Sequence, residues 1–306
     1  MSIKKIITGL ALSMLLSSGL AVAADYNKGK KAFDSGDYKA ALVEFIPLAE
    51  QGDAYAQGDL GYMYEFGYGV LKNDKTAVKW YTLAAEQGDA YSQYNLAFKY
   101  DNGEGVLKND KTAVKWYTLA AEQGDADCQY NLALKYDNGE GVLENDKTAV
   151  KWFTLAAEQG YADAQGNLGT MYALGEGVLE NDKTAVKWYT KAAEQEDADS
   201  QYNLGQMYRR GEGVPKNDKT AVKFYTLAAE QGYASAQYNL GIMYQYGQGV
   251  LTDTKRAYMW CNLANYNGNE IAPKHRDKIA KDMTSAQINK AQDMSSRCLN
   301  SGYTDC

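Results

Sequence analysis

The chain has 306 residues, 45% of them hydrophobic and 23% charged, with a formal net charge of −7. This composition excludes a disordered polymer, and the acidic balance argues against nucleic acid or an anionic membrane surface as main partner. Three prolines beside 26 tyrosines point to a helix-rich interior packed with bulky aromatic rings.

At the N-terminus, Lys4 and Lys5 precede an apolar run from Ile6 to Leu20, followed by Ala21-Val22-Ala23-Ala24. A basic start, a short apolar run and small residues at an A-x-A site predict a cleavable secretory signal over residues 1–24. The run is too short for an anchor, and no cysteine stands at the cleavage site to carry a lipid. The mature chain is therefore expected to be periplasmic or secreted, with no integral membrane segment. Residues 25–52 follow, with Gly29, Ala32, Gly36, Tyr38 and Ala40-Ala41. This stretch resembles a single tetratricopeptide unit, which implies an N-terminal capping role.

From there the chain repeats itself. Trp80, Trp116, Trp152, Trp188, Phe224 and Trp260 are each 36 residues apart, and six copies fill residues 53–268. A glycine column keeps the same step through Gly52, Gly88, Gly124, Gly160, Gly232 and Gly268, with Glu196 standing in it once. A fixed period of this size is the signature of a solenoid. Each copy reads as two helices. In the first copy Ala56, Leu60, Gly61 and Tyr64 form the apolar stripe of helix A, and Ala77, Trp80, Tyr81 and Ala84 that of helix B. Gly67-Tyr68-Gly69 breaks the chain between them, Asp74 is the expected N-cap of helix B, and Gly88 ends it. One hairpin cannot bury both faces; stacked copies can.

The motif Ala236-Gln237-Tyr238-Asn239-Leu240-Gly241, with Tyr244 and Gly247-Gln248-Gly249-Val250, resembles the Sel-one-like repeat (SLR) family, a relative of the tetratricopeptide repeats. All six copies carry the pattern. The resemblance implies an all-α fold, an α/α superhelical solenoid of tandem helix-turn-helix units, and a bacterial, non-catalytic scaffold that binds a protein or peptide. Residues 269–306 lose the period. They predict one helix carrying Ile271, Ile279 and Met283 and another opened by a Thr284–Gln287 capping box, together resembling the C-terminal helical cap of the family.

Little in the sequence points to catalysis. The Gly67-Tyr68-Gly69 copies follow no strand and precede no Gly-Lys-Ser/Thr, so they are helix punctuation rather than a phosphate loop. The acidic turn Asp137–Glu144 lacks the ligand spacing of an EF-hand. His275 is the only histidine, which leaves histidine metal clusters and a Ser-His-Asp triad poorly supported. Neither metal nor cofactor is expected. Two alternatives stay open: an enzyme acting on cell-wall peptide or β-lactam, by analogy with secreted relatives linked to such chemistry, and a host-directed secreted interaction factor. A monomer is favoured, with the oligomeric state open.

Four cysteines, at 128, 261, 298 and 306, allow three full pairings. Cys128 occupies a small-residue contact column and is expected to be a buried thiol. Cys261 lies more than three repeats from it, too far for a disulfide. Cys298 and Cys306 can meet if the chain folds back after the last helix, and form the expected bridge, with Cys261–Cys298 second. The cysteine staples found in each repeat of some relatives are missing here.

If helix A lines an inner groove as its tetratricopeptide counterpart does, positions equivalent to 55, 58, 62, 65 and 66 face a partner. These are where the copies differ most. Copies two and three place Tyr91, Tyr94, Phe98, Asp101, Asn102, Asp127, Tyr130, Leu134, Asp137 and Asn138 there; copy five places Asp199, Tyr202, Gln206, Arg209 and Arg210; copy six places Tyr238, Ile242 and Tyr246. Tyrosine is a low-entropy anchor with a polar tip. The alternative for these rings is packing on one another across a solvated face. The stripe predicts a peptide-binding groove, aromatic and acidic in the middle and basic further along, for a segment carrying Lys or Arg near an apolar anchor.

Overall fold

The computed structural model describes residues 24–306, and among these the chain forms sixteen helices and no strand. The expected signal segment, Ala24 apart, lies outside the described residues. Two compact units divide the chain after Asp89.

In the first unit, α1 (Tyr26–Asp34) and α2 (Tyr38–Glu50) form a hairpin, followed by the first repeat, α3 (Ala54–Phe66) and α4 (Asp74–Glu86). Its core joins Ala41, Phe45, Ala49, Ala56, Leu60 and Met63. The second unit continues with α5 (Ala90–Asn102), α6 (Asp110–Glu122), α7 (Ala126–Asn138), α8 (Asp146–Glu158), α9 (Ala162–Leu174) and α10 (Asp182–Ala193). Then come α11 (Ala198–Arg210), α12 (Asp218–Ala229), α13 (Ala234–Tyr246), α14 (Thr254–Tyr266), α15 (Ala272–Ala280) and α16 (Ser285–Asn300). From α3 to α14 the odd helices are helix A of each repeat and the even ones helix B. Within the second unit each helix A from α7 onward packs against helix B of its own and of the preceding repeat.

The hairpins close because the sequence removes side chains where the helices meet. A Cβ at Gly205 would stand 2.6 Å from the Tyr225 ring, and one at Gly169 would stand 2.7 Å from that of Tyr189. Asn73, rather than Asp74, caps α4, its side chain accepting from the Thr76 N–H at 3.0 Å. Asp74 is the first helical residue, where its charge suits the helix dipole. The amide oxygen does the capping and the carboxylate is left for longer-range partners; the pair repeats as Asn109-Asp110, Asn145-Asp146, Asn181-Asp182 and Asn217-Asp218.

Polar side chains stitch the stack. Gln129 is buried, donates to the Ala121 carbonyl of the preceding helix B at 3.1 Å, and accepts from Gln159 of its own helix B at 2.8 Å. The same pair of bonds recurs at Gln165 (to Ala157, from Gln195), Gln201 (to Ala193, from Gln231) and Gln237 (to Ala229, from Asn267). The second glycine of each interhelix turn makes the other fixed contact. Gly141 has φ +74°, and a Cβ there would stand 2.5 Å from the carbonyl carbon of Asp110 in the preceding repeat.

The tail covers the end of this array. α16 begins with the Thr284–Gln287 capping box, and Cys298 joins a core with Met259, Trp260 and Leu263. Beyond it, Tyr303 hydrogen-bonds the Asn267 amide at 2.8 Å, so the shortened last rung is completed by the tail. Cys298 and Cys306 form a disulfide pair with Cα atoms 4.7 Å apart. Cys128 and Cys261 are free and buried; burial raises both thiols, Cys261 to about 12.

Two outcomes follow. Glu196 sits at φ 65°, where a side chain costs roughly 1–2 kcal/mol, so Glu196→Gly is expected to raise the thermal unfolding midpoint slightly, whereas an unchanged or lowered midpoint would show the turn to be unstrained. Peptide mapping of unreduced protein is expected to yield one bridged pair, Cys298–Cys306, with Cys128 and Cys261 alkylated only after unfolding; a bridge that includes Cys261 would contradict it.

Candidate functional site

The groove residues named above all belong to the second unit, on helices α5, α7, α11 and α13. Helical periodicity puts i, i+3, i+7 and i+10 on one face, which is why Tyr91, Tyr94, Phe98 and Asp101 of α5 share a face, as do Asp127, Tyr130, Leu134 and Asp137 of α7. Tyr91 is 47% exposed and Phe98 39%, while Tyr94, Tyr130, Tyr202 and Tyr238 are half-buried.

The half-buried rings are part of an aromatic layer. Tyr94 lies 6.3 Å from Tyr117, Tyr130 lies 5.8 Å from Phe153, and Tyr202 lies 5.8 Å from Tyr225, each partner standing on helix B of the same repeat. Two further tyrosines, absent from the sequence reading, complete it. Tyr161 stacks on Tyr130 with centroids 4.9 Å apart, and Tyr233 meets Tyr202 at 5.1 Å. Both occupy the N-cap column held elsewhere by Asp53, Asp125 and Asp197, and neither makes a side-chain cap bond. The chain gives up a cap worth about 1 kcal/mol for an aromatic contact of similar size. Tyr233 also donates to Asp199 at 2.6 Å. The break in the aspartate column was the available sequence signal. Tyr238 and His275 meet in a T-shaped contact with centroids 5.6 Å apart, and His275 bonds Gln245 at 2.6 Å.

The charged positions fall into three states. Asp101 is already engaged: Lys135 of the next repeat donates to it at 2.5 Å. Asp137 makes no such bond, and its carboxyl is pushed above the usual range by burial, then by the neighbouring acids Asp146, Glu176 and Glu144. Of the arginines, Arg210 reaches Glu212 at 3.7 Å, and Arg209 bears on the Tyr225 hydroxyl, whose pKa burial raises and Arg209 lowers. Asn102 is exposed and donates to the Phe98 carbonyl at 3.1 Å; Asn138 is exposed at the equivalent place and Leu134 is half-buried. No His, Cys, Asp and Glu grouping suited to a metal occurs among the described residues, and no described helix is long and apolar enough to cross a membrane.

An all-helical array of tandem hairpins, with a constant interior and a variable helix A face, defines an α/α repeat protein. Comparison with known proteins gives the family: the Sel1 repeat matches residues 54–89, 90–125, 126–161, 162–197, 198–233 and 234–269, and the chain belongs to that family. A Sel1 repeat protein from Oxalobacter formigenes is similar at 33% identity and TM-score 0.68, covering 79% of this chain and 97% of that one. So is c5321, a protective antigen present in uropathogenic Escherichia coli strains and displaying an SLR fold, at 30% identity and TM-score 0.63, covering 91% of this chain and 69% of that one. No curated protein matches the sequence. Sel1 repeats generally form non-catalytic scaffolds for protein interaction.

Proposed function

We propose that this protein is a peptide-binding scaffold of the bacterial cell envelope or its surroundings, exported by its N-terminal segment, and that the helix A face of the second unit holds the partner. One observation carries the reading. The interior columns of glutamine, glycine and asparagine hardly change between copies, whereas the tyrosine-rich face changes from one to the next. A scaffold needs only the first. Tyrosines such as Tyr130 and Tyr202, braced from below by helix B rings and from the side by Tyr161 and Tyr233, lose little entropy when a partner covers them. That a relative is a protective antigen accords with an exported protein. The enzymatic alternative has less support: the sole histidine, His275, is spent on Gln245.

The test is capture of partner from an envelope extract. Truncating a buried aromatic anchor typically costs at least about 2 kcal/mol of binding, so Tyr94→Ala combined with Tyr130→Ala is expected to abolish capture while helical content by circular dichroism survives. Lys115→Glu with Lys151→Glu, on the helix B surface, is expected to leave capture intact. Normal capture by the tyrosine variant, with loss in the lysine variant, would move the working surface to helix B.

A further inference from the structure

The outward face of helix B carries charges that helix stability does not ask for. On α8 the exposed residues Lys147, Lys151, Leu155 and Glu158 stand four, four and three apart, so they form one stripe along the helix. The lysines lie at its start and the glutamate at its end. A helix dipole favours the opposite order, and like charges four residues apart repel. The same stripe recurs at the 36-residue step on α6 and α12, and on α10 with Lys191 in place of the leucine. Among the described residues none of these lysines and glutamates has an oppositely charged partner within 4.0 Å. Lys151 instead rests over the Trp152 ring, 4.9 Å from its centroid.

The glutamine bonds recur unchanged from repeat to repeat, so the stripes stand side by side and form rows across the stack. One row is lysine, one is glutamate, and between them Leu119, Leu155 and Leu227 are 37%, 36% and 37% exposed. Each of these helices also opens with a half-buried aspartate, Asp146 on α8. The face therefore holds nearly as many acids as bases. A polyanion laid on it would meet acids at both ends of every helix. A second copy of the same face, suitably turned, meets opposite charges.

We propose that the helix B face of the second unit docks on the same face of a second copy of this chain, about a two-fold axis that sets the helices antiparallel. Leu155 lies four residues after Lys151 and three before Glu158. An antiparallel overlay centred on it sets Lys151 of each copy against Glu158 of the other and leucine against leucine. A parallel overlay would set lysine on lysine. The two-fold contact makes each pair twice. Four helices about 18 Å long and about 10 Å apart offer roughly 700 Å², close to the ~800 Å² per partner of a standard interface. Lys191 is the one misfit: the overlay brings it against its own counterpart, and it folds over the Trp188 ring at 4.6 Å. So polar a contact is weak and screened by salt, and a dilute chain is a monomer. The helix A face stays open for the partner, and crosslinks formed from helix B join two copies rather than chain and partner.

Sedimentation velocity on the mature full-length chain at low salt tests this. The native chain is expected to pass from the mass of one chain to that of two as its concentration rises, with the dissociation constant about tenfold higher in ~0.5 M salt. Lys151→Glu with Lys187→Glu, and separately Glu158→Lys with Glu194→Lys, are each expected to weaken self-association at least about tenfold. An equimolar mixture of the two variants is expected to regain it, because each then offers the charge the other lacks. Lys191→Leu, which removes the misfit, is expected to tighten self-association severalfold. Circular dichroism checks the fold of each variant; if a double variant fails to fold, Lys151→Glu and Glu158→Lys, singly and mixed, carry the same test. A native chain that stays at the mass of one chain up to about 200 μM at low salt overturns the proposal. So does self-association that both charge variants leave unchanged, or a mixture that fails to restore it. Weaker association in Lys191→Leu would mark the lysine row as a site for a polyanion and also overturn it.

Discussion

The repeat turns on one buried amide. A glutamine side chain placed among alanines and leucines must satisfy its donor and acceptor, because an unmet buried polar group costs about 1–3 kcal/mol. Gln129 does so only if the preceding helix B presents the Ala121 carbonyl and its own helix B presents Gln159. Three consecutive helices are thereby fixed in rotation and height. Hydrophobic contact alone would tolerate sliding; the amide does not. The close backbone approach at Gly141 and Gly177 sets the spacing at the other end of each repeat, so two local constraints, copied along the chain, are enough to define the stack.

Once those columns are fixed, variation is left to the helix A face and the turns, and there the copies diverge in chemically connected ways. Lysine at 135 accompanies an acid at 101, and where the lysine gives way to Met171 the acid at 137 persists. Tyrosine at 161 and 233 accompanies tyrosine at 130 and 202. The face is a set of pairings between neighbouring repeats.

Much of this was legible in the sequence. The period, the hairpins, the left-handed Glu196, the capping box at Thr284 and the pairing of Cys298 with Cys306 follow from local rules about glycine, caps and spacing. Relations across 30 or more residues were harder. The cap at Asn73 rather than Asp74 turns on which of two adjacent polar side chains faces the free N–H groups. Asp101 reads as an open groove acid until the stack brings Lys135 beside it. Tyr161 and Tyr233 sit in a column that reads as capping, and only packing shows that they exchange a cap for a ring contact. Tyrosines of the aromatic face pack on neighbouring rings, while Tyr91 and Phe98 present substantial surface.

The central claim is that the helix A face of the second unit, and not the helix B surface, meets the partner. Site-specific photocrosslinking in living cells tests it most directly. Benzoylphenylalanine would be placed singly at Tyr130 and Tyr202, and at the exposed helix B residues Lys151 and Lys187, with adducts identified by mass spectrometry. The account predicts a common partner adduct from the two tyrosine positions and none from the two lysine positions. Adducts from Lys151 and Lys187 with silence at Tyr130 and Tyr202 would contradict it.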